Sequence, residues 1–301
     1  MYCRTIRWIG LALGKWSVRR FSVEFPSFKA FHVDVNGLVQ SAWEPVTPRG
    51  VAAFARASFG RLWLVQFIVA VIVAFPVVWL LYDGFFPTVR AAIRQLPAAG
   101  DIRDAKLDWR GASPVLLAEG RFIAFSVDVD HSGDVRSPAH FQIEFGKDRM
   151  LIHSLLGYLD RPYPVGLMAF NRPELEPKWG AWEIPLLGLV ALAVVVWLVC
   201  VWSVLATVYA VPVWLISFFA NRDLRLAECW RLGGAALMPG AVIMAVTIVL
   251  YGLGLFDLLA LGSVGIGHLV VGWVYLLISP SFLPRVPDAV GKKNPFVGEA
   301  K

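Results

Sequence analysis

Long uncharged apolar runs dominate the second half of the chain and occur once in the first half. Residues 184–220 contain no Asp, Glu, Lys, Arg or His. Residues 62–82 are also uncharged, and as a helix they would extend roughly 30 Å. Between residues 232 and 284 the only Asp, Glu, Lys, Arg or His side chains are Asp257 and His268. Runs of this kind are typical of membrane-spanning helices.

The lengths of these runs predict four spans, at residues 62–82, 185–208, 233–256 and 258–278. The 184–220 run must be divided, because as one helix it would be about 55 Å long against a hydrocarbon core of about 30 Å. Pro212 marks the predicted kink or end. Residues 209–232 then form a connection with an interfacial helix, and residues 252–257 form a tight turn between the last two spans.

Residues 83–183 have the pattern of a folded aqueous domain. A helical stretch at residues 88–96 is followed by alternating apolar and polar positions at residues 121–129 and again at 140–145. Turn-forming residues between these two strands predict an antiparallel hairpin, with residues 106–109 and 150–155 as further strands or a closing helix. The predicted fold class is a membrane all-α protein, a four-helix transmembrane bundle with a small α+β extracytoplasmic domain between spans 1 and 2.

The charges set the predicted orientation. The chain is 57% hydrophobic with a mean hydropathy of +0.63 and a net charge of +6. Residues 1–61 carry nine Lys and Arg against three Asp and Glu, whereas residues 83–183 carry twelve against fourteen. Basic residues collect on the cytoplasmic side of spans, so we expect a multi-pass protein of the cell inner (cytoplasmic) membrane with both termini cytoplasmic. The basic excess is thereby assigned to topology and the lipid bilayer, with no nucleic acid partner.

The terminal segments are predicted from the same charges. Residues 1–61 form a basic cytoplasmic arm, and residues 279–301 form a basic cytoplasmic tail. Within the arm, Val51, Phe54 and Phe59 alternate with arginines at spacings that suit a helix lying on lipid headgroups. A solvated basic linker explains the same pattern.

The predicted layout resembles a class of uncharacterised bacterial four-span inner-membrane proteins with an extracytoplasmic α+β domain after the first span. The resemblance covers residues 50–285, and its most specific part is the strand from Phe122 to Asp130 followed by the segment from Phe141 to Glu144. It implies the same topology. No catalytic motif is carried over from that class.

Candidate metal ligands and intramembrane polar groups are few. Asp128, Asp130 and Asp134 occupy the first, third and seventh positions of a calcium-loop pattern, but Ala139 stands where a bidentate Glu is needed. A tight turn explains these residues better than a metal site. His268 and Asp257 are intramembrane polar candidates, since ionisable groups are costly in lipid.

The leading hypothesis is therefore a non-enzymatic binding, sensing or accessory protein that acts through its extracytoplasmic domain, without a cofactor. Its partners would be the lipid bilayer and an extracytoplasmic protein or small-molecule ligand, and a homo-oligomer is left open. The alternative is a permease-like or lipid-handling protein with a polar route near His268. No phosphate-binding glycine loop, zinc spacing or nucleotide fingerprint favours an enzyme.

Overall fold

A computed structural model describes residues 43–285. Most of the predicted basic arm (1–42) and of the predicted tail (286–301) therefore lies outside the described residues. The helices are α1 (Pro48–Phe54), α2 (Phe59–Leu80), α3 (Phe86–Gln95), α4 (Arg172–Phe219), α5 (Leu226–Ala236), α6 (Met238–Gly252) and α7 (Leu258–Ile278). A π-helical turn (Leu81–Phe85) joins α2 to α3, and a 3-10 turn (Ser279–Phe282) follows α7.

Eight short strands lie between α3 and α4. They are β1 (Asp101–Arg103), β2 (Lys106–Asp108), β3 (Val115–Glu119), β4 (Ile123–Val127), β5 (Phe141–Phe145), β6 (Arg149–Ser154), β7 (Gly157–Pro162) and β8 (Leu167–Ala169). These strands form a five-stranded sheet in the order β3-β4-β5-β6-β7 and a three-stranded sheet in the order β2-β1-β8. The predicted α+β composition of this part of the chain is confirmed.

Within residues 43–285, four helical segments are long and apolar enough to cross a membrane, as predicted from length and composition. We call them span 1 (Phe59–Gln95), span 2 (Arg172–Phe219), span 3 (Leu226–Gly252) and span 4 (Leu258–Phe282). Below, the end of the bundle next to the sheets is the domain side, and the end next to α1 is the arm side.

Span 3 is the central helix of the bundle. In its most apolar window 67% of the residues are buried within the structure, against 6% for span 2 and 11% for span 4. Small residues allow neighbouring helices to pack closely against it. Gly234, Ala235 and Ala236 are all buried on its arm-side half. Spans 2 and 4 instead have few fully buried residues, and their other side chains are partly or fully exposed.

Of the two alternatives predicted at Pro212, a kink or an end, the end is absent. Residues 172–219 form one unbroken helix that passes through Pro177, Pro185 and Pro212. A proline removes one backbone hydrogen bond, whereas ending a helix leaves several carbonyl and N–H groups without partners at once. A helix that continues through a proline keeps the hydrogen bonds of the turns that follow it.

The connection predicted at residues 209–232 is accordingly shorter than expected. Helix α4 extends to Phe219, and span 3 begins at Leu226 instead of residue 233. The tight turn at residues 252–257 is confirmed, because α6 ends at Gly252 and Asp257 caps α7. The Asp257 Oδ1 atom accepts a hydrogen bond of 2.7 Å from the backbone N–H of Ala260.

Helix α1 does not have the exposed apolar face predicted for a helix on lipid headgroups. Val51 and Phe54 are fully buried against the bundle. The guanidinium of Arg231 donates two hydrogen bonds, of 3.2 and 2.7 Å, to the carbonyl of Ala55, just after the helix ends. Val51 and Phe54 therefore pack into the bundle, whereas Phe59, the third position assigned to lipid, begins α2 and is 46% exposed.

The antiparallel hairpin predicted from residues 121–129 and 140–145 is also wrong. Strands β4 and β5 pair in parallel, with Ile123 opposite Phe141 and Val127 opposite Phe145. A parallel pair needs a long crossover, and residues 128–140 supply one of about a dozen residues. The turns that the sequence pattern detected belong to this crossover, and β5 makes its antiparallel pair with β6.

The core of the domain lies between the two sheets and α3. Its buried apolar residues come from every layer: Ala92, Leu96, Ile102, Leu107, Leu117, Val127, Tyr163 and Phe170. Since α3 is the domain-side end of span 1, one continuous helical segment serves both the bundle and the domain core. The domain is therefore joined to the bundle by a continuous helical segment as well as by loops.

Close packing between spans 3 and 4 gives a stability prediction. A Cβ atom at Gly240 would lie 2.8 Å from the backbone oxygen of His268, whereas one at Gly262 would meet open space. We expect Gly240→Val to force the two helices apart and to lower the free energy of unfolding by about 1–3 kcal/mol. Thermal unfolding of the purified chain measures this loss, and Gly262→Val is the matched control. Equal unfolding midpoints for the two variants would contradict the packing argument.

Candidate functional site

A buried carboxylate in the five-stranded sheet lies close to three basic side chains. The Glu144 side chain is 3% exposed, and its Oε1 atom lies 2.9 Å from Nδ1 of His131. Its Oε2 atom lies 3.4 Å from the guanidinium of Arg136 and 3.3 Å from Nε2 of His153. We call Glu144, His131, Arg136 and His153 the carboxylate cluster. The Arg136 guanidinium and the two imidazoles surround the buried Glu144 carboxylate, and polar contacts of this kind offset the cost of burying a charge.

The crossover loop, residues 128–140, covers this face of the sheet. The Gln142 side-chain amide donates hydrogen bonds of 2.9 Å to Ser126 Oγ and to the carbonyl of Val135, and accepts one of 3.0 Å from the N–H of Ser137. His131 and Arg136 of the carboxylate cluster come from the same loop. The polar face that alternation would assign to solvent is thus buried under the loop.

Asp128 fixes the start of the loop. Its Oδ2 atom accepts hydrogen bonds of 3.0 Å from Ser132 Oγ and 2.8 Å from the N–H of Gly133. Burial raises the pKa of Asp128, but the hydrogen bonds from Gly133 and Ser132 oppose it, and the net pKa lies below its ordinary value. The carboxylate is therefore charged at neutral pH and holds a tight turn.

The metal interpretation of Asp128, Asp130 and Asp134 gains no support from these contacts. Within residues 43–285 no group of three or more His, Cys, Asp or Glu side chains is arranged to hold a metal ion. Asp128 serves the turn, and the contact at Asp134 is a hydrogen bond of 3.4 Å from its backbone N–H to Ser132 Oγ. The turn predicted from Asp, Ser and Gly is present, although it opens a crossover instead of closing a hairpin.

A second constellation joins the domain to the bundle. His140 Nδ1 lies 2.6 Å from the hydroxyl of Tyr251, near the domain-side end of span 3. The rings of Phe122 and Tyr251 have centroids 5.0 Å apart, and those of Phe122 and Phe85 are stacked at 5.6 Å. We call Phe85, Phe122, His140 and Tyr251 the aromatic junction. It links the starts of β4 and β5 to spans 1 and 3.

Electrostatics keep the junction histidine neutral. Burial lowers the pKa of His140, nearby Arg121 lowers it further, and Asp257 only partly offsets both effects. Arg121 also lies over the Phe122 ring at 5.4 Å and donates a hydrogen bond of 3.5 Å to the carbonyl of Phe256. Protonation of His140 would introduce a positive charge next to Arg121 and weaken the junction.

The two intramembrane polar candidates make hydrogen bonds within their own helix. His268 Nδ1 lies 2.6 Å from the carbonyl of Gly265, one turn earlier in α7. Asp257 caps the same helix through Ala260. Both side chains therefore bond to backbone groups of α7, Asp257 at its start and His268 near its middle.

Sequence reasoning did not single out Gln66 as a buried polar residue of span 1. Its side chain is fully buried, and Nε2 donates a hydrogen bond of 3.2 Å to the carbonyl of Gly234 in span 3. The available signal was its position as the one strongly polar residue in the 62–82 run. Glu144 and His140 left no such signal, because the contacts that define them come from distant parts of the chain.

The carboxylate cluster yields a testable prediction. Glu144→Gln keeps the side-chain size but removes the negative charge beside the Arg136 guanidinium and an acceptor oxygen of the carboxylate, so we expect a loss of about 1–3 kcal/mol in the stability of the crossover loop. Hydrogen exchange of residues 128–140 in the full chain measures it. The control is Glu119→Gln, an exposed carboxylate at the end of β3. Unchanged exchange in Glu144→Gln would show that the cluster does not hold the loop.

Comparison with known proteins adds no assignment to this geometry. No protein-family model, no curated protein and no solved structure matches the chain. The resemblance to bacterial four-span proteins therefore stays a prediction from layout. What can be said of function depends on the carboxylate cluster, the aromatic junction and the arrangement of the spans.

Proposed function

We propose that the chain is a multi-pass protein of the cell inner membrane that binds a partner through its extracytoplasmic domain and transmits the bound state through span 3. In this proposal the protein acts by binding and conformational coupling instead of catalysis. The four apolar helical segments are compatible with membrane insertion. The observation that carries the proposal is that span 3 is hydrogen-bonded to the domain at one end and to the residue after α1 at the other.

On the domain side, the contact is the hydrogen bond between Tyr251 and His140. On the arm side, Arg231 binds the carbonyl of Ala55, and Glu228 lies 2.8 Å from the guanidinium of Arg56. A movement of the domain that displaces Tyr251 would therefore reach α1 through span 3, in which α6 follows α5 directly after Leu237. A domain held only by flexible linkers would have no such connection.

The charges favour an extracytoplasmic domain. Several arginines of the described residues lie in or next to the arm-side elements: Arg49, Arg56, Arg222, Arg225, Arg231 and Arg285. The domain, residues 83–183, is slightly acidic. Positive residues are retained on the cytoplasmic side of bacterial membranes, so the arm side is assigned to the cytoplasm and the domain to the outside.

The orientation is tested by cysteine labelling in intact cells. Cys3, Cys200 and Cys229 are replaced, and single cysteines are introduced as Asp148→Cys in the domain and Ser281→Cys on the arm side. We expect a membrane-impermeant maleimide to label position 148 in intact cells and position 281 only after permeabilisation. Labelling of 281 but not 148 in intact cells would place the domain in the cytoplasm and overturn the proposed orientation.

Coupling is tested by loosening the junction and measuring the far side of the bundle. Spin labels at Gly60→Cys and Ser281→Cys, both exposed, report the arrangement of the arm side. Tyr251→Phe removes only the hydroxyl that binds His140, and we expect it to shift the distance distribution between the labels. Asp148→Asn, in the turn between β5 and β6, is the control that should leave the distribution unchanged. An unchanged distribution in Tyr251→Phe would contradict the proposed coupling and leave the spans with the role of a membrane anchor only.

The same labels predict a pH dependence. Because the folded-state pKa of His140 is lowered, its contribution to the junction is fully present above the ordinary histidine pKa of about 6.5 and is lost as the pH falls from there toward the lowered value. We expect acidification to shift the distance distribution in the same direction as Tyr251→Phe. His140→Gln should abolish this pH response.

A further inference from the structure

The hairpin between β6 and β7 has an apolar tip. Leu155 and Leu156 form it, with 72% and 97% of their surface exposed, and Tyr158 follows with 71% exposed. Hairpin tips normally carry Gly, Asn, Asp or Ser, because these residues suit the turn and the solvent. Two adjacent leucines at a tip are costly to leave in water and therefore indicate a surface that something covers.

The strand register shows which end of the sheet carries this tip. Strands β4 and β5 both begin at the aromatic junction, where Phe122 and His140 meet Tyr251 of span 3. Strand β6 is antiparallel to β5, with Ser154 opposite Phe141. It therefore ends where β5 begins, and the tip extends past that level toward the bundle. The leucines lie at the bundle end of the sheet.

The sheet order gives the lateral position of the tip. β6 and β7 are the last two strands of the sheet, so they lie about 5 and 10 Å to the side of β5 at the usual strand spacing. The junction residues of β5 sit directly on span 3, whereas the tip is displaced sideways from it. At the level of the span ends, beside the bundle, the surroundings of a membrane protein are lipid headgroups.

The neighbouring residues fit a lipid surface better than a protein strand. Tyr158 has an apolar ring and a polar hydroxyl, the combination that is enriched at membrane interfaces. Leu253 and Leu255, in the turn at the domain-side end of spans 3 and 4, are also exposed. Farther along β7, Asp160 and Arg161 put charges on the free edge of the sheet, which discourages pairing with another strand.

We propose that the Leu155–Leu156 tip inserts into the outer-leaflet boundary between lipid headgroups and acyl chains. This inference depends on the proposed membrane insertion and orientation. The domain then has two attachments. One is the aromatic junction, where β5 meets span 3, and the other is the hairpin tip after β6, which lies in lipid. The bilayer surface becomes part of what holds the domain in place.

The test measures lipid contact at the tip in the full chain. In a background without the three native cysteines, Leu156→Cys carries an environment-sensitive nitrobenzoxadiazole label, and the protein is reconstituted in nanodiscs. We expect a blue-shifted emission that is lost when lipids with a doxyl group near the headgroup are included. The control label at Asp148→Cys, at the opposite end of β6, should show neither the shift nor the quenching.

A third label separates failure of this inference from failure of membrane insertion. Ile266→Cys lies in the middle of span 4, where Ile266 is 75% exposed, and should be quenched by lipids with a doxyl group deep in the acyl chain. Quenching at 266 without quenching at 156 would overturn the hairpin proposal alone. A blue shift at 156 without lipid quenching would also overturn it, in favour of a protein partner or a second copy. Absence of quenching at 266 would overturn membrane insertion itself.

Discussion

Close packing around span 3 is the constraint on which the rest of the structure depends. Small residues allow neighbouring backbones to approach it, and at Gly234 a Cβ atom would lie only 3.1 Å from the Gln66 amide nitrogen. That approach lets Gln66 reach the Gly234 carbonyl, an interhelical hydrogen bond of the type that holds apolar helices together. Span 3 is enclosed along its length by these neighbours, and its two ends bind other parts of the chain. The domain uses one end and α1 uses the other.

The sequence carried the information for the spans but not for their limits. Uncharged runs identify all four spans, because an apolar surface of that length must be buried or face lipid. Asp257 was likewise placed correctly in a turn, since Gly residues and a capping carboxylate mark it locally. The sequence left a kink and an end open at Pro212, because a proline is recognised locally, whereas the cost of ending a helix depends on which other groups could bond its free backbone N–H and C=O groups.

The candidate site was less predictable, because its contacts join residues far apart in the sequence. Alternation correctly separated Ser126 and Asp128 from the apolar face of β4, but strand direction depends on which strands pair, and no local pattern specifies that. Alternation places Glu144 on the polar face of β5, which would normally face solvent, but the crossover loop covers that face. His140 and Tyr251 are 111 residues apart, so their hydrogen bond was invisible to any periodicity.

The π-helical turn at Leu81–Phe85 has a consequence for the rotational phase between bundle and domain. A π turn accommodates one extra residue relative to an α-helix, and one residue corresponds to about 100° of rotation about the helix axis. Below the turn, Val69 and Val73 of span 1 are buried in the bundle; above it, Ala92 and Leu96 enter the domain core. Deleting or adding a single residue at this turn would rotate Ala92 and Leu96 relative to Val69 and Val73 about the helix axis. The domain is also held by α4 and by the hydrogen bond between His140 and Tyr251, so the rotated segment could not satisfy the bundle, the domain core and the aromatic junction together. The length of the π turn thus determines which face of the domain meets span 3.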